Sequence, residues 1–236
     1  MTGTALILGA NGRFGRAATQ AFATAGWQVR AATRKGNSQP RAGVSPVAFD
    51  VMDRDAVVAA AQGADIIVHA VHPLYPDWAE MMPVHTENII AAARASGSTV
   101  MTVGNVYTFG EHAPELYSES LTPAPTTRKG HIRLAMERSF EAAAAQGVRS
   151  VILRSGDFIE REKTGNWFDT YMTNRLHKDV FTYPGPRDVV HAWSYLPDMA
   201  RAMVALAEKR DTLPAFSSFG YEGYSLTGDE IHEAVE

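Results

Sequence analysis

Apolar positions along this chain fall into short unbroken runs, separated by longer stretches in which they recur every three or four residues. That alternation predicts strands followed by helices. The runs Ala5–Leu8, Gln28–Thr33, Pro46–Phe49, Asp65–Ala70, Thr99–Val103 and Arg149–Leu153 predict six strands. Between them, the periodicity predicts helices over Arg16–Ala25, from an Asp53 N-cap to about Gln62, over Asp77–Ser96 and over Lys129–Gln146. Gly26, Gly97 and Gly147 stop three of these. The central strand Asp65–Ala70 is apolar throughout, as expected of a strand covered on both faces. Parallel pairing with right-handed crossovers follows.

The alternation breaks in two places. Residues 111–128 contain Pro114, Pro123 and Pro125 and no periodicity, which predicts an irregular segment lying over a site. Beyond Gly165 the pattern predicts a helix near Trp167–Leu176, short strands near Val180–Thr182 and Val190–Tyr195, and a helix Asp198–Lys209 started by Pro197. A last strand at Phe216–Phe219 and a helix capped by Thr227 complete the chain.

The first strand runs into Gly9, Gly12 and Gly15, and a helix follows. Strand, glycine turn and helix together aim main-chain N–H groups and a helix dipole at a phosphate. Gly9 permits the tight turn, Gly12 lets main chain approach a pyrophosphate, and Gly15 lets helix pack on strand. Asn11, Arg13 and Phe14 complete this candidate dinucleotide cradle. The alternative is a glycine-rich turn with no ligand. The expected fold is α/β, a Rossmann-type doubly wound parallel sheet in three αβα layers with a small C-terminal substrate lobe. Residues 1–155 form the predicted dinucleotide-binding core. Residues 156–236 are mainly lobe segments, with helix 197–209 returning to the core.

An NAD site commonly carries a carboxylate at the end of the second strand, to hold the ribose 2′-hydroxyl. Here Arg34 and Lys35 stand there, cations suited to a 2′-phosphate, so NADP is expected over NAD. The alternative is solvated loop charge. Asp50 and Val51 are placed for the adenine, though Asp50 equally suits a turn. Ala70 and Val71 leave the fourth strand at its ligand-facing end, making His72 a candidate substrate contact, whereas His69 within the strand reads as a packed, hydrogen-bonded core residue.

Composition narrows the partners. Hydrophobic residues at 45% and charged residues at 20% are ordinary for a globular protein, and the net charge of −4 supplies no attraction to nucleic acid or an anionic membrane. No apolar run approaches the roughly 20 residues of a membrane span. A strand begins within a few residues of the N-terminus, leaving no room for a signal peptide, so a cytoplasmic location is expected. There is no cysteine, and the eight histidines show no metal-binding spacing, so no metal is expected.

Several motifs together resemble the extended or atypical short-chain dehydrogenase/reductase superfamily, in its epimerase/dehydratase-like branch. They are the glycine triplet, Asp50-Val51, Thr86-Glu87-Asn88-Ile89-Ile90, Val106-Tyr107 with Phe109-Gly110, and Trp193-Ser194-Tyr195-Leu196-Pro197-Asp198. The resemblance implies a Ser-Tyr-Lys catalytic set, in which the Tyr is general acid/base. Aligned on Gly130 and Glu137, the Tyr position holds Lys129, the Lys position Arg133 and the Ser position Val103; Thr102 points to the other face. Lys129 is then a ligand of the nicotinamide ribose, or a base if Arg133 lowers its pKa, or a solvated charge. Tyr107 is the other candidate acid/base, with Asn105 a donor to a substrate carbonyl. Phe158 is implied beside the nicotinamide, with Asp157 a turn residue or more. The substrate cleft takes its candidates from His131, Trp167, Tyr171, Trp193 and Tyr195, with core packing the competing role. Family members commonly continue past the Leu226–Glu230 element, so either the lobe is reduced or the sequence is truncated. A homodimer is the implied default. The resulting expectation is an NADP-dependent oxidoreductase or epimerase/dehydratase-like enzyme acting on a small carbonyl or sugar-like substrate. The alternative is a non-catalytic NADP-binding sensor.

Overall fold

The computed structural model describes residues 2–235. Its elements in order are β1 (Thr4–Leu8), α1 (Arg13–Thr24), β2 (Gln28–Thr33), β3 (Val44–Ala48), α2 (Arg54–Ala61), β4 (Ile66–His69), α3 (Trp78–Ser96), β5 (Thr99–Gly104), α4 (Arg128–Ala144), β6 (Ser150–Arg154), β7 (Asp157–Ile159), β8 (His191–Tyr195), α5 (Leu196–Glu208), β9 (Phe216–Gly220), β10 (Tyr224–Leu226) and α6 (Gly228–Val235). Seven strands form one parallel sheet in the order β3-β2-β1-β4-β5-β6-β9. This is the Rossmann-type α/β fold expected from the alternation. β1 pairs with β2 on one side and β4 on the other, so the strand order reverses beside β1. The reversal opens a crevice at the strands' carboxyl ends.

Both faces of the sheet are covered. On one, Phe14, Ala18 and Phe22 of α1 and Met199 and Met203 of α5 pack on Ile7, Val68 and Met101. On the other, Val57 of α2, Ile89 of α3 and Met136 and Phe140 of α4 pack on Leu6, Leu8, Ile67 and Val100. Cover on both faces is what makes β1 and β4 apolar at nearly every position. β3 is largely exposed and carries Pro46, which is tolerable because β3 is an edge strand. At the opposite edge, the Glu119 carboxylate accepts the N–H of Gly220 at 2.9 Å, fastening residues 111–127 over the end of β9.

Caps set the helix starts. Asp53 accepts the Ala56 N–H at 3.1 Å, and Thr127 accepts that of Gly130 at 3.1 Å. Thr227 and Glu230 form a reciprocal capping box at α6. α1 begins at Arg13, three residues before the periodicity places it. Gly12 is its extended N-cap, and burial of Phe14 and Gly15 draws the first turn into the core.

The C-terminal lobe departs further from expectation. The helix expected over 167–176 is a single π turn at Phe168–Met172 and a 3-10 turn at Leu176–Lys178. Val180–Thr182 is not a strand; the Thr182 N–H bonds the Met172 carbonyl instead. The apolar residues here converge from irregular positions: Met172, Trp193 and Ile231 form a small core against Ile159, Phe168, Phe181 and Tyr183. β7 and β10, three residues each and unpredicted, flank β8 in a second sheet of order β10-β8-β7. Among the described residues no helix is long and apolar enough to cross a membrane.

Candidate functional site

The glycine turn stands at the head of the crevice. Gly9 has φ of +79°, and its N–H and that of Ala10 both bond the Ala32 carbonyl at 3.1 Å. A Cβ at Gly15 would collide with the Gly9 carbonyl oxygen, so only glycine lets α1 lie this close to the turn. No side chain caps α1, which leaves its first-turn N–H groups directed at the strand ends. Ala70 and Val71 leave β4 against the same turn; a Cβ on Gly9 would sit 2.9 Å from the Ala70 carbonyl oxygen. The Asn11 amide donates to Asn37 at 3.0 Å, joining the turn to the loop after β2. Arg34 and Lys35 lie exposed in that loop, and neither forms an ion pair among the described residues. Asp50 accepts the Met52 N–H at 3.0 Å, so its carboxylate does close a turn. The buried Asn88 of α3 donates to the carbonyls of Val51 at 2.8 Å and Met52 at 3.1 Å, which fixes the Asp50-Val51 loop.

Around the ends of β4 and β5, side chains form a second cluster. A Cβ on Gly130 would collide with the Tyr107 carbonyl oxygen, so glycine lets the start of α4 press on the Tyr107 segment. That contact places the Lys129 ammonium 4.3 Å from the centre of the Tyr75 ring and 5.1 Å from that of Tyr107, within cation–π range of both. The two phenols face each other at 3.3 Å. His72 packs edge-on against Tyr75 (5.6 Å) and Trp78 (5.0 Å). Burial, and then the hydrogen bond it donates to Tyr75, push the Tyr107 phenol well above its ordinary pKa. It therefore stays protonated and serves as a donor. Burial and then the Arg133 charge lower the pKa of His72, favouring its neutral form. Asn105 accepts the Tyr107 N–H at 3.1 Å through its side-chain oxygen, leaving its amide N–H₂ for a ligand.

Behind this cluster lies a charged network. Arg133 is buried, and burial lowers its pKa to about 10 while Glu137 opposes the shift, so it remains a cation at neutral pH. It donates to the Val103 carbonyl, and its Nε has no partner among the described residues. Glu137 and Arg154 make a two-point ion pair at 3.0 and 2.7 Å. Arg154 also donates to the Asn105 carbonyl and to Thr108 Oγ1 at 3.0 Å. The Val103 side chain packs toward α1 and α5, and the Thr102 hydroxyl is taken up by the His69 carbonyl at 3.3 Å. His69 is only partly as expected. It is buried, but its Nδ1 has no hydrogen-bond partner among the described residues, and burial lowers its pKa to about 3.

The lobe closes over the turn from the far side. Arg13 Nε donates to Glu160 at 2.7 Å and its terminal nitrogen to the Phe158 carbonyl at 3.2 Å. The Phe158 ring stacks on Phe14 with centroids 6.3 Å apart. Asp157 pairs with His191 at 2.9 Å. Trp167, Tyr183, His191 and Trp193 line a small cavity of about 130 Å³. Trp167 and Tyr171 are half exposed, with rings 6.2 Å apart, whereas Trp193 is buried in the lobe core. Tyr195 is half-buried where β8 meets α5, with no ring contact or hydrogen bond to the Tyr107 cluster among the described residues. His131 is exposed, about 200° around α4 from Lys129, and so faces away from the cluster. Tyr75, Trp78, Glu160 and His191 were not foreseen from sequence; the rigid Pro73–Pro76 loop was the available signal for the first two. No group of three His, Asp or Glu among the described residues is arranged to hold a metal.

A family model for the NAD dependent epimerase/dehydratase family matches residues 5–219. The chain belongs to that family. No curated protein matches it. Among solved structures, this family member is similar to a candidate epimerase from Burkholderia cenocepacia J2315, at TM-score 0.83 and 23% identity over 98% of this chain and 79% of the other. It is also similar to UDP-glucose 4-epimerase from Brucella ovis in complex with NAD, at 0.80 and 17% over 98% and 81%. A third is UDP-N-acetylglucosamine 4-epimerase from Bacillus cereus, at 0.80 and 16% over 98% and 79%. At these identities the likeness establishes the fold. The chain spans about four fifths of their length.

Proposed function

We propose that this chain binds NADP in the crevice above β1 and β4 and acts as an oxidoreductase or epimerase/dehydratase-like enzyme on a small carbonyl or sugar-like substrate. The observation that carries the reading is the uncapped first turn of α1, held against the glycine turn so that its N–H groups meet a pyrophosphate. The Brucella ovis neighbour is described with NAD, which supports a nicotinamide dinucleotide. The preference for NADP rests on Arg34 and Lys35, exposed and without ion pairs among the described residues, where a ribose 2′-phosphate would lie.

The bound nicotinamide supplies hydride chemistry. The chain's residues bind, orient and move protons. The Gly9–Gly15 segment with Asn11, Arg13 and Phe14 holds the pyrophosphate, Asp50 and Val51 border the adenine, and Ala70, Val71 and Phe158 border the path to the nicotinamide. Lys129 hydrogen-bonds the nicotinamide ribose. Tyr107, kept protonated, donates to a substrate oxygen beside Asn105 and His72. Trp167 and Tyr195 bound the substrate from the lobe.

A second reading, a non-catalytic NADP sensor, is favoured by one observation. Arg133, which the sequence register puts at a catalytic position together with Val103 and Lys129, is committed to the Val103 carbonyl. Calorimetric titration with NADPH and NADH tests cofactor choice. We expect NADPH to bind at least about tenfold more tightly, and the Arg34→Ala/Lys35→Ala double variant to lose that preference. Equal affinities in the unsubstituted protein would sink the NADP assignment. NADPH oxidation with aldehydes, ketones and keto-sugars then separates the readings, since binding without turnover across the panel selects the sensor.

A further inference from the structure

We propose that His191, held by Asp157, is the proton-transfer residue of this crevice, and that it serves a compact hydroxyl or carbonyl compound. The inference rests on the dinucleotide reading above and adds to it a residue outside the family's catalytic positions.

Those positions supply no placed base: Val103 carries no polar group, Arg133 stays cationic, and Lys129 is held over the Tyr75 and Tyr107 rings, while Tyr107 beside them keeps its proton. Oxidising a carbinol, or inverting one through its ketone, needs a group that accepts the hydroxyl proton and returns it. The segment after β6 supplies one. Arg154 ends β6, Ser155 and Gly156 carry the chain out of the sheet, and Asp157 opens β7. Its neighbour Phe158 stacks on Phe14 of α1 and its carbonyl accepts from Arg13 at 3.2 Å, which puts this segment on the crevice side of the lobe. β7 and β8 run parallel with Asp157 opposite Trp193, and His191 lies two residues before Trp193, hence on the same face.

That register brings His191 Nε2 to 2.9 Å from Asp157 Oδ2. The His191 ring also lies 4.6 Å from the buried Trp193 ring, which limits its rotation. With Nε2–H given to the carboxylate, the free electron pair is on Nδ1, for which no partner is found among the described residues. Both side chains are half open, at 42% and 44% exposure, so a ligand can reach them. The cavity beside the imidazole is about 130 Å³ and lined by aromatic, proline and valine side chains, with no Lys or Arg. Such a lining suits a small uncharged compound and not a phosphate-bearing one.

The proton bookkeeping closes. The substrate O–H bond breaks and its proton goes to Nδ1. The O–H electron pair becomes the second bond of the new carbonyl, as the carbinol hydrogen departs with its own pair to the nicotinamide dinucleotide named above. The imidazolium so formed keeps its hydrogen bond to the Asp157 carboxylate at 2.9 Å. In reverse, Nδ1–H protonates the oxygen of the reduced carbonyl. Asp157 is thus a positioning residue, fixing the tautomer.

The test uses the full chain with ¹⁵N-labelled histidine, His191 being identified by the signals lost in His191→Gln. Oxidised and reduced dinucleotide differ by one positive charge on the nicotinamide, so a nearby imidazole senses which form is bound. We expect the Nε2–H tautomer in the free protein and different His191 ¹⁵N chemical shifts with the oxidised and the reduced form bound. We also expect a mixture of tautomers in Asp157→Ala. Identical His191 signals with both forms, while other resonances report binding, would overturn the proposal. So would an unchanged tautomer in Asp157→Ala. If neither form moves any resonance, the dinucleotide reading fails, and this inference falls with it.

Discussion

On the α1 side of the crevice the wall beside the glycine turn is built mainly from main chain: the N–H groups after Gly12, the Gly9 turn and the Asp50-Val51 loop tied by Asn88. On the α4 side it is built from side chains: Tyr75, Tyr107, Lys129 and, behind them, Arg133, Glu137 and Arg154. The first set needs only glycine at certain points and a helix that starts on time. The second depends on the identity of each residue. A main-chain site therefore survives substitution of its neighbours, while a side-chain site becomes a different site. The family's glycine spacing stands here at Gly9, Gly12 and Gly15, whereas Lys129 and Arg133 stand on α4.

Three substitutions probe that contrast. Glu137 balances two guanidinium groups in a mostly buried network, so Glu137→Gln leaves both uncompensated and is expected to cost about 3–5 kcal/mol, read from urea unfolding. A loss below about 1 kcal/mol would mean that charge does not hold the α4 side together. On the other side, Gly15→Val forces α1 off the turn, and dinucleotide affinity should fall at least about 100-fold, near 2.7 kcal/mol. Near-native binding with native circular dichroism would show that the turn's closeness to α1 is dispensable. Smallest is Lys129→Ala, on an exposed side chain lying over two rings. NADPH should bind severalfold more weakly, with stability unchanged within about 0.5 kcal/mol. An unaltered dissociation constant removes Lys129 from the ribose contact.

The same contrast explains what was legible in the sequence. Ala5–Leu8 and Asp65–Ala70 announce strands because a doubly covered sheet tolerates little else, and the glycine turn announces itself because main chain forbids a Cβ at Gly9 and Gly15. The start of α1 was misplaced because glycine at the N-cap gives no side-chain signal. Phe168, Met172, Phe181 and Ile231 share one small core without sharing a period, so no pattern marked the lobe's turns. Lys129 was readable as a residue, but its place over Tyr75 and Tyr107 depends on the Gly130 contact between distant segments. Asp157 and His191 are 34 residues apart, joined by a strand only three residues long.

The two rims of the seven-stranded sheet have a further effect. An open sheet edge is a template on which another chain can add a strand. Here Pro46 removes one donor from the β3 rim, and Glu119 occupies the Gly220 donor at the β9 rim. Each blunts its edge against recruiting a second copy by main-chain pairing. The two devices thus guard against fibre-like stacking.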